Sequence, residues 1–123
     1  MNVTGTDFVL IHCRDLAATE RFYTETLGLE LGKRWGDMGF EVETGDTTLA
    51  FMDPTKMGRE FAPSMTAIVL RVDDVAAAKA ELEGKGVEFG TDVIDSGTCH
   101  QAYFSDPDGN PLGIHHIYGS RTS

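Results

Sequence analysis

The 123-residue sequence predicts an α+β chain built from two tandem βαβββ units, forming a cupped mixed sheet with helices on the outer face. Three observations carry this prediction. Asp15 and Asp74 each separate an apolar strand-like run from an amphipathic stretch, and they lie 59 positions apart. The segment GLELG at 28–32 returns as GVEFG at 86–90. After each helix-like stretch come three short runs that alternate in polarity and are separated by turn residues.

FVLIHC (8–13) reads as a half-buried strand. Asp15 suits a helix N-cap, because its carboxylate can accept the open N–H groups of the first turn. LAATERFYTETLG then carries an apolar stripe of Leu16, Phe22, Tyr23 and Leu27. Gly28 ends it, since glycine takes left-handed backbone geometry without a Cβ penalty. LELGKRW, MGFEVET and TTLAFMD read as three strands parted at Gly36–Asp37 and Gly45–Asp46. DPTKMGREFAPS, from Asp53 to Ser64, is a polar loop bounded by proline and glycine.

The second half repeats the plan. AIVLRV is a strand, Asp74 a cap, and VAAAKAELEGKG a helix closing near Gly84 to Gly86. VEFGTDV, CHQAYFS and PLGIHHIY follow as strands. The expected organisation is one domain over 1–123, with units at about 5–53 and 65–118 and a linker over 54–64.

Composition narrows the function classes. Twenty acidic against ten basic residues give a formal charge of −10. Nucleic acid needs clustered Lys and Arg, so it is excluded as a partner. An acidic surface attracts cationic ligands, although the charge also serves solubility. No apolar run approaches the roughly 18 residues of a membrane span, and no basic-then-apolar leader precedes the first strand. Cys13 and Cys99 form no zinc or redox spacing. A cytoplasmic protein that keeps off membranes is the expectation.

Strand parity assigns faces, because successive side chains point to opposite sides. Val9, Ile11, Cys13, Leu49, Phe51, Met38, Phe40 and Val42 suit the helix side of the first unit, and Ile68, Leu70 and Val72 that of the second. The cup then receives Phe8, Leu10, His12, Glu41, Glu43, Thr48, Ala50 and Met52. From the second half it receives Ala67, Val69, Arg71, Cys99, Gln101, Tyr103, Gly113, His115 and Ile117. His100 and His116 fall on the helix side, so the HH pair at 115–116 is no motif. A buried inert thiol is the plainer reading of Cys99, and SDPD at 105–108 reads as a tight turn rather than a calcium loop.

The ligand-contacting candidates are therefore His12, Met52, Gln101, Tyr103 and His115, with Trp35 at a strand end and Phe61 in the inter-unit loop. Such a lining suits a flat aromatic ligand, stacked on Trp35 or Phe61 and hydrogen-bonded through His and Tyr. Core packing or a subunit contact is the plainer reading of those two rings.

RDLAATERFYTETLGL, VDDVAAAKAELEGKGVEF and FSDPDGNPLGI together resemble the vicinal oxygen chelate superfamily, which includes glyoxalase I, extradiol dioxygenases and bleomycin-resistance proteins. The resemblance runs from about Asp7 to Tyr118 and implies the glyoxalase/bleomycin-resistance/dioxygenase fold. It also places the family's metal ligands at Phe8, Ala50, Ala67 and Gly113, none of which offers a donor atom. The expectation is no metal and no other cofactor. Members without the metal set include proteins that sequester bleomycin or related natural products, usually as dimers. The resemblance thus implies a metal-free homodimeric binding protein for an aromatic or cationic natural product. The alternative is a lyase, isomerase or biosynthetic enzyme using His12, Tyr103 or His115 as acid and base. A displaced metal on His12, His115 and Glu41 or Glu43 is the third reading.

Overall fold

Both repeats turn on a capped helix. In the computed structural model, which describes residues 1–119, the Asp15 carboxylate accepts the Ala18 N–H at 3.2 Å and opens α1, Leu16–Arg21. Asp74 does the same for the Ala77 N–H at 3.0 Å and opens α2, Val75–Gly84. Gly28 (φ 75°) and Gly86 (φ 93°) turn the chain out of the two helical segments in left-handed geometry. The end of the domain expected over 1–123 lies outside the described residues.

The chain divides into two compact units, the first Met1–Pro63 and the second from Ser64 onward. In the first, β1 (Val9–His12) lies parallel to β4 (Thr48–Met52), and β3 (Gly39–Glu43) and β2 (Glu30–Arg34) continue the sheet antiparallel, in the order β1-β4-β3-β2. The second repeats this with β5 (Ile68–Arg71), β8 (Pro111–Ile117), β7 (Cys99–Ser105) and β6 (Ile94–Asp95), in the order β5-β8-β7-β6. The architecture is α+β, two four-stranded mixed sheets each with its helix.

Packing agrees with parity in the first core, except at Met38. Ile11, Cys13, Phe40, Val42, Leu49 and Phe51 are buried together with Tyr23 of the helical segment. Phe51 stacks on Phe40 at 5.0 Å and meets Tyr23 at 4.3 Å, which makes an aromatic centre for the first unit. The second core is slimmer: Ala102, Phe104, Leu112 and Ile114 pack with Val75 and Leu82. Fully burying one such large apolar side chain contributes roughly 1.5–3 kcal/mol.

Four local expectations are corrected. The first helix is not α-helical throughout: Phe22–Thr26 forms a π turn, closed by the Leu27 N–H donating to the Phe22 carbonyl at 2.9 Å. The Thr24 hydroxyl donates to the Glu20 carbonyl at 2.7 Å and competes for an acceptor of the α-ladder. VEFGTDV is not a strand. It makes only a bridge from Phe89 to Phe104, and the Thr91 hydroxyl oxygen, rather than a backbone carbonyl, accepts the Tyr103 N–H at 3.2 Å. The edge strand forms later, at Ile94–Asp95. Met38, assigned to the helix side, sits in the β2–β3 turn and is exposed, its N–H donating to the Trp35 carbonyl. Finally, the inter-unit loop opens with a 3₁₀ turn, Pro54–Met57, capped by the Asp53 carboxylate at the Thr55 N–H.

The DPDGN turn is tightly self-bonded. Asp106 Oδ1 accepts the N–H groups of Asp108 and Asn110, both at 2.9 Å, while Asp106 Oδ2 accepts from the Asn110 amide at 2.9 Å. Asn110 Oδ1 in turn accepts the Ser64 N–H at 2.7 Å and ties the start of the unit to its last hairpin.

Candidate functional site

Each sheet has one face covered by its helix and one open face, and the candidate residues other than Phe61 sit on the open faces. In the first unit the register sets two rows across β1, β4 and β3. One row is Leu10, Ala50 and Glu41; the other is His12, Met52 and Gly39. Glu43 and Thr48 extend the face, the Thr48 hydroxyl donating to both Glu43 carboxylate oxygens at 2.9 and 2.7 Å.

Trp35 covers this face at Gly39. The Trp35 N–H donates to the Gly39 carbonyl at 2.9 Å, and Gly36 (φ 58°) turns the chain back between them. A Cβ on Gly39 would stand 2.9 Å from the indole and would also run into the Phe51 carbonyl, so only glycine lets the ring lie there. Phe8 meets Trp35 edge-on at 6.3 Å. Phe8 (46 %) and Leu10 (47 %) remain exposed, while Trp35, His12, Met52, Glu41 and Glu43 are half-buried. The result is an apolar, aromatic surface edged by carboxylates.

Phe61 is also in this unit but is already engaged: the Arg14 guanidinium lies over its ring, 4.5 Å from the centroid. Lys56 of the 3₁₀ turn donates to the Asp37 carbonyl in the hairpin turn that carries Trp35.

The open face of the second unit is more polar. Its rows read Val69, Gly113, Tyr103 and Arg71, His115, Gln101, followed by Ile117 and Cys99. The Tyr103 ring lies over Gly113, where a Cβ would come within 2.8 Å of it. Its hydroxyl donates to Gln101 Oε1. Gly113 is thus not a void, because the neighbouring phenol fills the space that its missing side chain leaves.

The structure therefore brings His12, Trp35 and Met52 together on one face, and Gln101, Tyr103 and His115 on the other. Phe61 joins neither row. Arg71, which the parity of AIVLRV puts on the open face but which the sequence reading leaves out of the ligand-contacting candidates, stands beside His115 by register.

Outside these faces, His100 and Tyr118 close around Asp95. The Tyr118 hydroxyl donates to Asp95 Oδ1 at 2.5 Å, the His100 ring nitrogen stands 3.3 Å from Oδ2, and the two rings lie 4.7 Å apart. The Tyr118 hydroxyl and the Gly97 N–H hold the Asp95 carboxyl below its usual range, and Asp95 in turn raises the Tyr118 phenol. Cys99 Sγ sits 2.9 Å from the Ser96 hydroxyl, whose oxygen also accepts the Cys99 N–H.

A metal does not fit the positions that the resemblance assigns to ligands. Ala50 is fully buried, Phe8 packs on Trp35, Gly113 lies under Tyr103, and Ala67 has only a methyl group. Among the described residues no three of His, Cys, Asp and Glu come together in a way that could hold a metal ion. No helix of the described residues is long and apolar enough to cross a membrane.

Residues 5–114 match the model of the Glyoxalase/Bleomycin resistance protein/Dioxygenase superfamily. TnmS3, described as an antibiotic binding protein from Streptomyces sp. CB03234, is 30% identical, with a TM-score of 0.78 over 95% of this chain and 98% of that one. A lactoylglutathione lyase from Agrobacterium tumefaciens is 20% identical, with a TM-score of 0.76 over 94% and 96% of the two chains, which shows a shared fold. The uncharacterized protein YaeR of Escherichia coli K12 is 29% identical over 87% of this chain and 92% of its own length. With its doubled βαβββ plan and this match, the chain belongs to the glyoxalase/bleomycin resistance protein/dioxygenase superfamily.

Proposed function

We propose that this protein is a cytoplasmic homodimer that binds and sequesters a small aromatic natural product, planar or cationic, without a metal and without altering it. One observation carries the reading: Trp35 and Phe8 form an aromatic surface on an open sheet face, beside His12 and Met52 and edged by Glu41 and Glu43. A flat ligand ring stacks on indole, and a cationic one gains further from the ring face and the carboxylates. The 30% identity to an antibiotic binding protein supports the same reading. So do the four donorless positions, since this fold's metal chemistry needs His and carboxylate ligands there.

Trp35 is the only tryptophan, so its emission reports on the proposed surface directly. Titration with a panel of aromatic antibiotics, bleomycin included, should give saturable quenching by at least one, with the ligand recovered unchanged by mass spectrometry. Chemical conversion of the ligand, lost in His12→Ala or His115→Ala, would instead establish the acid–base enzyme. A panel that leaves the emission untouched would remove the support for binding.

A further inference from the structure

The open face of the second unit departs in chemistry from the chain around it. The chain carries a formal charge of −10. Yet one row across β5, β8 and β7 reads Arg71, His115, Gln101, and the next reads Val69, Gly113, Tyr103, with no carboxylate in either. Neighbours in such a row stand about 5 Å apart at Cβ, so the three polar side chains share one face within about 10 Å, the length of a small planar skeleton. What they offer is mostly donors. A guanidinium has five N–H groups and no acceptor, an amide has two N–H groups, and a neutral imidazole has one. Five donors leave some for a ligand even when one is used within the protein.

Tyr103 completes the arrangement. Its ring is seated on Gly113, and its hydroxyl donates to Gln101 Oε1. That bond occupies the acceptor end of the amide and fixes its orientation, which leaves the Gln101 NH₂ group as the end presented to a partner. Gln101 and His115 are half-buried and Arg71 is exposed, so a ligand can reach all three.

We infer that Arg71, His115 and Gln101 form a hydrogen-bonding subsite for an acceptor oxygen of the ligand, with Tyr103 and Gly113 positioning the amide. The oxygen is a carboxylate, phenolate or carbonyl oxygen carried on a flat skeleton. The inference rests on the binding reading above and names the ligand group that the second unit recognises. It also places Arg71 among the ligand contacts, a residue that net charge alone would set against a cationic ligand.

The test uses three naphthalene probes with the intact ¹⁵N-labelled protein: 2-naphthoate, 2-acetylnaphthalene and 2-naphthylmethylammonium. 2-Naphthoate should shift the Gln101 side-chain NH₂ pair. Its affinity should fall about tenfold in Arg71→Gln, the loss expected when a charge-assisted hydrogen bond is removed. The ammonium probe should keep its affinity within about twofold in the same variant, since guanidinium attracts only the anion. If 2-acetylnaphthalene binds as well as 2-naphthoate, the recognised oxygen is a carbonyl; if it binds about tenfold worse, the oxygen is anionic. Arg71 is exposed, so the variant should fold, and circular dichroism checks that. An unmoved Gln101 pair, no binding of 2-naphthoate at millimolar concentration, or equal losses for both ions would overturn the subsite. None of those results alters what aromatic antibiotics do to Trp35 emission, so the two proposals fail separately.

Discussion

The two units share a scaffold and differ in what they place on it. His12, Met52 and Gly39 of the first correspond by register to Arg71, His115 and Gln101 of the second. Leu10, Ala50 and Glu41 likewise correspond to Val69, Gly113 and Tyr103. Each face seats an aromatic ring on a glycine, but at different points: Trp35 on Gly39, Tyr103 on Gly113. One face is thereby aromatic and acidic, the other rich in donors. The backbone plan and the helix caps are alike in the two units, while the open rows and the cores differ.

The cores offer the strongest way to break this comparison. The first unit is centred on the Phe51, Phe40 and Tyr23 rings, whereas Phe104 of the second pairs with Phe89 at 5.0 Å. Phe51→Ala should cost about 3–5 kcal/mol in urea unfolding. Phe104→Ala should cost about 1 kcal/mol less, because fewer ring contacts are lost. Equal losses would mean that the aromatic centre adds nothing beyond burial.

The two glycines come next and should behave differently. At Gly39 a Cβ meets the Phe51 carbonyl as well as the indole, so Gly39→Ala should cost about 3 kcal/mol, and adding Trp35→Ala should not restore it. At Gly113 the close neighbour is the Tyr103 ring, with the Ala102 carbonyl at an ordinary 3.4 Å. Gly113→Ala should cost about 1–2 kcal/mol, and Tyr103→Ala in the same chain should recover most of it. Thermal unfolding of the four variants decides the matter.

The caps should be alike. Asp15→Ala and Asp74→Ala each remove one carboxylate acceptor and should each cost about 1 kcal/mol. A twofold difference would break the equivalence of the two helix starts.

The smallest effect belongs to an ion pair found in the first unit. Arg34 holds the Glu20 carboxyl below its ordinary value of 4.5, mainly through a two-pronged hydrogen bond at 2.9 Å. A depressed carboxyl pKa stabilises the fold above the unfolded value, and that contribution fades as pH falls through the folded one. Arg34→Gln should therefore be slightly less stable than the parent at pH 7. The difference should vanish as the pH drops below 4.5, and it should stay under that of the caps because the pair is largely solvated.

Much of this was legible in the residues themselves. Asp15 and Asp74 announced both helices, Gly36 and Gly45 the turns, and alternation in FVLIHC and TTLAFMD the faces. The π turn was not, because Thr24 bonding back to Glu20 competes with the α-ladder without disturbing the apolar stripe. Nor was the loss of the strand expected in VEFGTDV, where a side-chain oxygen of Thr91 takes a backbone partner's place. On the site, parity placed His12, Met52, Gln101, Tyr103 and His115 on the open faces. It could not show that Tyr103 would fill the space above Gly113, or that Phe61 would lie under Arg14, because those contacts depend on rotamers rather than on position along a strand.

The central claim is that the open face of the first unit binds an aromatic ligand through rings and hydrogen bonds, without a metal. Calorimetric titration of the protein before and after exhaustive dialysis against EDTA, with the antibiotic that quenches Trp35 most strongly, tests it most directly. Unchanged affinity and stoichiometry after chelation are predicted. Binding that disappears with the chelator and returns with one equivalent of a divalent metal would contradict it.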